Sequence, residues 1–125
     1  MFIVACGGGG TAAPSTPPPS SPSSSGASVA LGQSLYTSLG CVTCHSLDGS
    51  AGTGPTWKGL AGSKVKLTNG QTVVANATYL LNSIETPDKQ IVAGFKPGVM
   101  SAVIAPHSVS LADARALIAF IQSVR

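Results

Sequence analysis

Cys41-Val42-Thr43-Cys44-His45 is the stretch on which the reading of this chain turns. It is a C-x-x-C-H run, the pattern of covalent haem attachment. The spacing has a chemical reason. Two thiols three positions apart can add to the two vinyl groups along one side of a porphyrin. The histidine that follows is then held below the ring, where a neutral imidazole nitrogen can bind iron. A cofactor held by thioether bonds does not rely on affinity alone. Two plainer readings stay open on these five residues. Cys41 and Cys44 could be a thioredoxin-like redox pair, although that motif sits in a βαβ pattern and none is visible here. They could be half of a zinc site, although a second C-x-x-C or H-x-H pair is missing.

Outward from the motif, the local patterns are mostly helical. A first helix is predicted from about Val29 to Leu39, with Gly32 and Tyr36 on one face at i and i+4. Gly40 breaks it just before the cysteines. Residues Asp48 to Gly62 are rich in Gly and Pro and read as an ordered loop. Val65-Lys66-Leu67 and Gln71-Thr72-Val73-Val74 flank Thr68-Asn69-Gly70, the signal of a short β-hairpin, a small excursion and not a sheet-forming core. A second helix is expected from about Thr78 to Glu85, capped by Asn76 or Thr78 and stopped by Pro87, with Tyr79, Leu80 and Ile84 inward. Ile91 to Pro106 reads as one long loop. Ser110 with Asp113 resembles a capping box. It opens a last helix carrying Leu111, Ala114, Leu117, Ile118, Ile121 and Val124 at i, i+3, i+4 spacing. Leu117 or Phe120 is expected to meet the first helix near Gly32.

From about Leu31 to Arg125 the order of these segments resembles a class I cytochrome c. It is especially similar to the cytochrome c domain fused to subunit II of some haem–copper oxidases. The matching segments are Gly32-Gln33-Ser34-Leu35-Tyr36, the C-x-x-C-H run, Gly54-Pro55-Thr56-Trp57-Lys58-Gly59-Leu60, Tyr79-Leu80-Leu81-Asn82-Ser83-Ile84, Ile91-Val92-Ala93-Gly94-Phe95 and Met100. The resemblance implies an all-α fold of about three to five helices around one covalent haem c, with the hairpin as an addition. It implies that the Pro55 carbonyl accepts a hydrogen bond from His45, fixing the tautomer and orientation of the ring. It implies that Trp57 packs at the haem edge with its indole N–H near a propionate, and that Tyr79 or Asn82 also approaches one. Ile91, Val92 and Phe95 would line the distal face.

Iron held by His45 alone would keep an open site for small molecules. Met100 is the sole methionine apart from the initiator, and its Gly-Phe-Lys-Pro-Gly-Val loop matches the ligand loop of the resembled family. A thioether ligand raises the potential by favouring ferrous iron. His107 is the alternative sixth ligand, although Pro106 and the following helix cap suggest a surface turn. The resembled family often has proline right after the methionine; here it is Ser101.

Residues 7–28 are almost wholly Gly, Ala, Pro, Ser and Thr, too poor in apolar surface to offset ordering entropy, and read as a flexible linker. Residues 1–6 read as a truncated signal. Ile3-Val4-Ala5-Cys6 resembles a bacterial lipobox, in which cleavage exposes a cysteine for acylation, although only five residues precede Cys6. Residues 29–125 are then the folded domain, small enough that a buried porphyrin would supply much of its apolar core. Formal charge is +3, from seven basic and four acidic residues. No Lys/Arg cluster suits phosphate neutralisation, which argues against nucleic acid as a partner. Lys58, Lys64, Lys66, Lys89 and Lys96 all fall between His45 and Met100. They could ring a haem edge and favour an acidic redox partner, or simply be a solvated surface.

The expected function is single-haem electron transfer, not enzymatic, between membrane respiratory or photosynthetic complexes: a quinol-oxidising complex, a terminal oxidase or both. A lipid on Cys6 would place it on the outer, periplasmic face of a bacterial membrane. The competing classes are a haem peroxidase, which needs an open distal site with acid/base groups, and a gas or redox sensor, which without a signalling domain beside the haem domain is expected only as part of a larger assembly.

Overall fold

The computed structural model describes residues 9, 10, 13, 14 and 24–125. Cys6, the segment 1–6 and most of the 7–28 stretch lie outside the described residues. The described chain forms four α-helices, one 3₁₀ turn and one two-stranded antiparallel sheet.

Helix α1 spans Ser24–Ser38 and α4 spans Leu111–Ser123. They cross closely because the contact is built from small residues. A Cβ placed on Gly32 would lie 2.1 Å from the Ala116 carbonyl oxygen and 2.6 Å from Phe120 Cβ. Only hydrogen fits there. Phe120, one of the two expected partners, therefore packs against Gly32, joined by Ala116; Leu117 is buried at 2% on the same helix. The apolar stripe of α4 is turned inward from Ala114 to Ile121. Leu111, at the first position of the helix, is instead 45% exposed. Ser110 caps α4 by accepting the Asp113 N–H at 3.1 Å.

Helix α1 begins at Ser24, five residues before the apolar pattern, and Gly26 and Ala27 in that added stretch are exposed. Gly40, at φ 80°, ends the descent of α1 and turns the chain into a 3₁₀ turn at Cys41–Thr43. Left-handed backbone of this kind suits glycine.

Strands β1 (Lys64–Lys66) and β2 (Thr72–Val74) pair with Val65 opposite Val73. The hairpin is the small excursion expected, and it also braces a neighbouring segment. Leu67, 3% exposed, bridges to Val92, while Thr68 N–H donates to the Ile91 carbonyl and Ala93 N–H to the Lys66 carbonyl, each at 2.8 Å. The hairpin thus fixes the backbone of the Ile91–Ala93 segment. Helix α2 spans Ala77–Glu85, capped by Asn76 accepting from the Tyr79 N–H at 2.9 Å. Tyr79, Leu80 and Ile84 are buried.

The Ile91–Pro106 stretch is not one continuous loop. It contains a five-residue helix α3, Val99–Val103, entered from Gly98 at φ 79°. Pro97 and Gly98 disguise it in sequence, since both punctuate helices.

Candidate haem-binding site

One cavity brings the chemistry-bearing residues together. It encloses about 1050 Å³ of empty space, counting the part open to solvent. Cys41, Cys44 and His45 line it, and so do Ile91, Val92, Phe95 and Met100, distant from them in sequence. The lining is mainly apolar, as expected of a site for a large flat cofactor.

The ring of His45 is placed from several directions. Its backbone N–H donates to the Cys41 carbonyl at 2.9 Å. The hydroxyl of Tyr36, on α1, donates to the His45 carbonyl at 2.5 Å. His45 Nδ1 lies 2.7 Å from the Pro55 carbonyl oxygen. A carbonyl can only accept, so Nδ1 carries the proton and Nε2 keeps its lone pair, the form needed for metal binding. Burial lowers the imidazole pKa, and the Pro55 carbonyl partly opposes that shift. Trp57 stacks at a tilt beside the ring, with centroids 5.4 Å apart, and also touches Tyr36 at 5.0 Å. This aromatic group, closed by Phe120, links the α1–α4 crossing to the histidine.

Cys41 and Cys44 are both free thiols, half-buried at the cavity wall. Burial pushes the Cys41 thiol up. That is the opposite of a redox-active pair, whose attacking thiol is depressed. Among the described residues, no group of three or more His, Cys, Asp or Glu could hold a metal ion, so nothing completes a zinc site around the pair.

Met100, on α3, lines the cavity; His107 does not. His107 is exposed, at φ 58°, with its N–H on the Glu85 carbonyl at 2.8 Å. Trp57 and Tyr79 line the cavity, whereas Asn82 does not. Helix periodicity explains the difference. Tyr79, Leu80, Ser83, Ile84 and then Pro87 follow one face of α2, and Asn82 falls outside that arc. Its carbonyl closes the helix by accepting from Thr86 N–H at 2.8 Å and Thr86 Oγ1 at 3.0 Å.

A family model described as Cytochrome c matches residues 29–125. The chain belongs to the cytochrome c family. This family binds covalent haem c and works by haem-based electron transfer, and the mostly helical fold with its small hairpin is of that class. No curated protein matches the chain in sequence.

The residues of this cytochrome c domain fit the cofactor. The two free thiols stand three positions apart at the wall of an apolar cavity. The cavity also contains a buried polar atom, Gln90 Oε1, with no hydrogen-bond partner among the described residues. A buried amide without a partner is costly. Turned by half a rotation, it would offer its NH₂ to a carboxylate such as a propionate. Burial raises the Tyr79 pKa, which keeps that hydroxyl protonated as a further donor. Of the lysines proposed for the haem edge, Lys96 lines the cavity. Thr53, Ser83 and Gln90 are wall residues that the sequence did not single out for this role. Their one sequence signal is proximity to the matched motifs, too weak to separate them from neighbours.

Gly54 makes a specific demand on this cytochrome c site. A Cβ there would sit 2.6 Å from His45 Cε1 and 2.9 Å from Nδ1. Gly54→Ala should therefore tilt the imidazole off the Pro55 carbonyl. The expected result is a loss on the order of 1–3 kcal/mol in stability and a shifted haem absorbance spectrum, with Ala51→Gly on the same loop as the unaffected control. Unchanged midpoint and spectrum in Gly54→Ala would contradict this packing.

Proposed function

We propose that the chain is a single-haem electron carrier whose haem is bonded to Cys41 and Cys44 and whose iron is ligated by His45 and Met100. The observation that carries this reading is one cavity lined at once by both cysteines, the histidine with its Nε2 lone pair free, and the methionine. When bound, haem c supplies a one-electron ferric/ferrous couple. The protein's own residues do the rest. The Pro55 carbonyl holds the proton on Nδ1 of His45. Ile91, Val92 and Phe95 contribute apolar wall that keeps water away. The Met100 thioether favours the ferrous state and raises the potential. Trp57, Tyr79 and Gln90 are the proposed neighbours of the propionates, and Asn82, set off the cavity face, is the weakest candidate for that role.

Donor and acceptor follow from the resemblance to the domain fused to oxidase subunit II: a quinol-oxidising complex on one side and a terminal oxidase on the other. No described helix is long and apolar enough to cross a membrane. Lipidation of Cys6 would tether the domain through the Ser- and Pro-rich segment at the outer face of a bacterial membrane. Held this way, it would meet its partners at a high effective concentration.

The test is spectroscopic. Produced in a host that matures such proteins, the protein should gain one covalent haem by intact mass. Its ferric form should show the weak sulfur-to-iron charge-transfer band. Met100→Ala should abolish that band and lower the potential by on the order of 0.1 V or more, within the roughly 0.8 V span that axial ligands command. His107→Ala should change neither. The reverse pattern would assign the ligand to His107, and rapid carbon monoxide binding by the ferrous wild type would point to an open, peroxidase-like or sensor-like site.

A further inference from the structure

Met100 is followed by Ser101, where no ring stiffens the backbone, yet the segment is fastened. The carboxylate of Asp88, just beyond the end of α2, reaches across the loop to both sides of the methionine. Its Oδ1 accepts the Gly98 N–H at 2.6 Å, and its Oδ2 accepts the Ser101 Oγ–H at 2.7 Å. One anchor lies two residues before Met100 and the other one residue after it. Gly98 is at φ 79°, so its N–H is aimed by a backbone turn that suits glycine. Asp88 follows Pro87, which is buried and lines the cavity, so the carboxylate springs from a packed base.

We propose that Asp88 is a positioning residue for Met100, clamping the start of α3 through Gly98 and Ser101 so that the thioether stays on the iron. This rests on the ligation reading above and adds the device that maintains it. Hydrogen bonds to an ionised acceptor are short and stronger than neutral ones, and both distances fit. The Gly98 N–H, and after it the Ser101 hydroxyl, hold the Asp88 carboxyl below the usual carboxylate range, so it is an anion at neutral pH. The clamp is exposed, and exposed polar contacts add little to global stability. Its effect is local. α3 is five residues long, too short to be stable by itself, so contacts at its first turn decide how often it opens.

The experiment uses the mature holoprotein. Saturating imidazole is mixed with the ferric form, and the decay of the sulfur-to-iron band gives the rate at which Met100 leaves. Asp88→Ala should raise that rate about tenfold or more, and Ser101→Ala, which keeps the backbone bond, by less. Ser101→Thr restores the hydroxyl and should return the rate to the wild-type value. Asp113→Asn, which removes the same charge on α4, should leave it unchanged. Thermal midpoints should move little in any of these, which separates positioning from a general loss of structure. If Asp88→Ala does not mature, the Ser101→Ala and Ser101→Thr pair decides alone. Wild-type rates in Asp88→Ala, or in Ser101→Ala where it decides, would overturn the clamp while the methionine ligation stands. A wild-type protein without the band, or one whose band survives Met100→Ala, would overturn the ligation and the clamp with it.

Discussion

Gly32→Val should cost the domain more than about 3 kcal/mol, at the upper end of what overpacking a core does. The reason is the identity of the atoms it would strike. The nearest is the Ala116 carbonyl oxygen at 2.1 Å, a backbone atom of α4 that no rotamer change can move. Phe120 Cβ at 2.6 Å is equally fixed to its helix. Relief requires α1 and α4 to separate. Helix propensity works the other way, since removing a helical glycine gains up to about 1 kcal/mol, but that gain is smaller than the clash. Against a total stability of about 5–15 kcal/mol, the loss should lower the thermal midpoint by on the order of 10–20 °C. The damage should also reach the haem. α1 carries Tyr36, whose hydroxyl bonds the His45 carbonyl, and two residues past its end Gly40 turns the chain to Cys41. Displacing the helix displaces both. A thermal melt of the ferric protein, followed by far-ultraviolet circular dichroism and haem absorbance, reads the effect. Gln33→Ala, exposed on the same helix, is the control. A Gly32→Val midpoint within a few degrees of the control would mean the helices do not cross as described.

The two helices were legible from the shared face of Gly32 and Tyr36 and from the i, i+3, i+4 run of the last helix, while their crossing followed from the resemblance to class I cytochromes c. The C-x-x-C-H run was legible because its chemistry dictates its spacing, whereas the part played by Pro55 followed from the resemblance. Asn76 and Ser110 were readable as caps from side-chain type and position. What stayed hidden has physical causes. α3 depends on Asp88, which stands 13 residues before Ser101. No local window contains both, so Pro97 and Gly98 spoke only of loop. The hairpin's tie to Ile91 and Ala93 is likewise non-local, and its strands alone imply no third partner. Gln90 is polar and follows a lysine, which reads as surface, yet its amide oxygen is buried in the cavity wall. Leu111 fits the helical period but sits on the first turn, ahead of the stretch where α4 is covered, so periodicity overstates its burial. The common element is that residues governed by their own neighbours were readable, and residues governed by a distant partner were not.

Removing both proposed thioether anchors should have the largest effect on the holoprotein. Cys41→Ala with Cys44→Ala deletes two small side chains from the cavity wall, a change that by packing alone would be modest. The larger consequence falls on the walls. Leu80, Ile84, Ile91, Val92 and Phe95 all line the cavity, and without a retained porphyrin they face water or each other. Apolar burial contributes about 25 cal/mol per Å², and a domain confined to residues 29–125 has little core to spare. A non-covalent haem would stabilise the fold only in proportion to its free concentration, whereas a bonded one cannot leave. The expected product is colourless after dialysis. Its far-ultraviolet dichroism should be partly helical, its near-ultraviolet signal lost and its apolar surface open to dye binding, the signature of compact but unpacked chains. Each single replacement should keep the haem through the remaining bond, with a lowered yield and midpoint. A double variant that still unfolds cooperatively at the wild-type midpoint would show that this polypeptide packs its core without the cofactor, and the cavity would then have to close by a rearrangement of the segment from Ile91 to Met100.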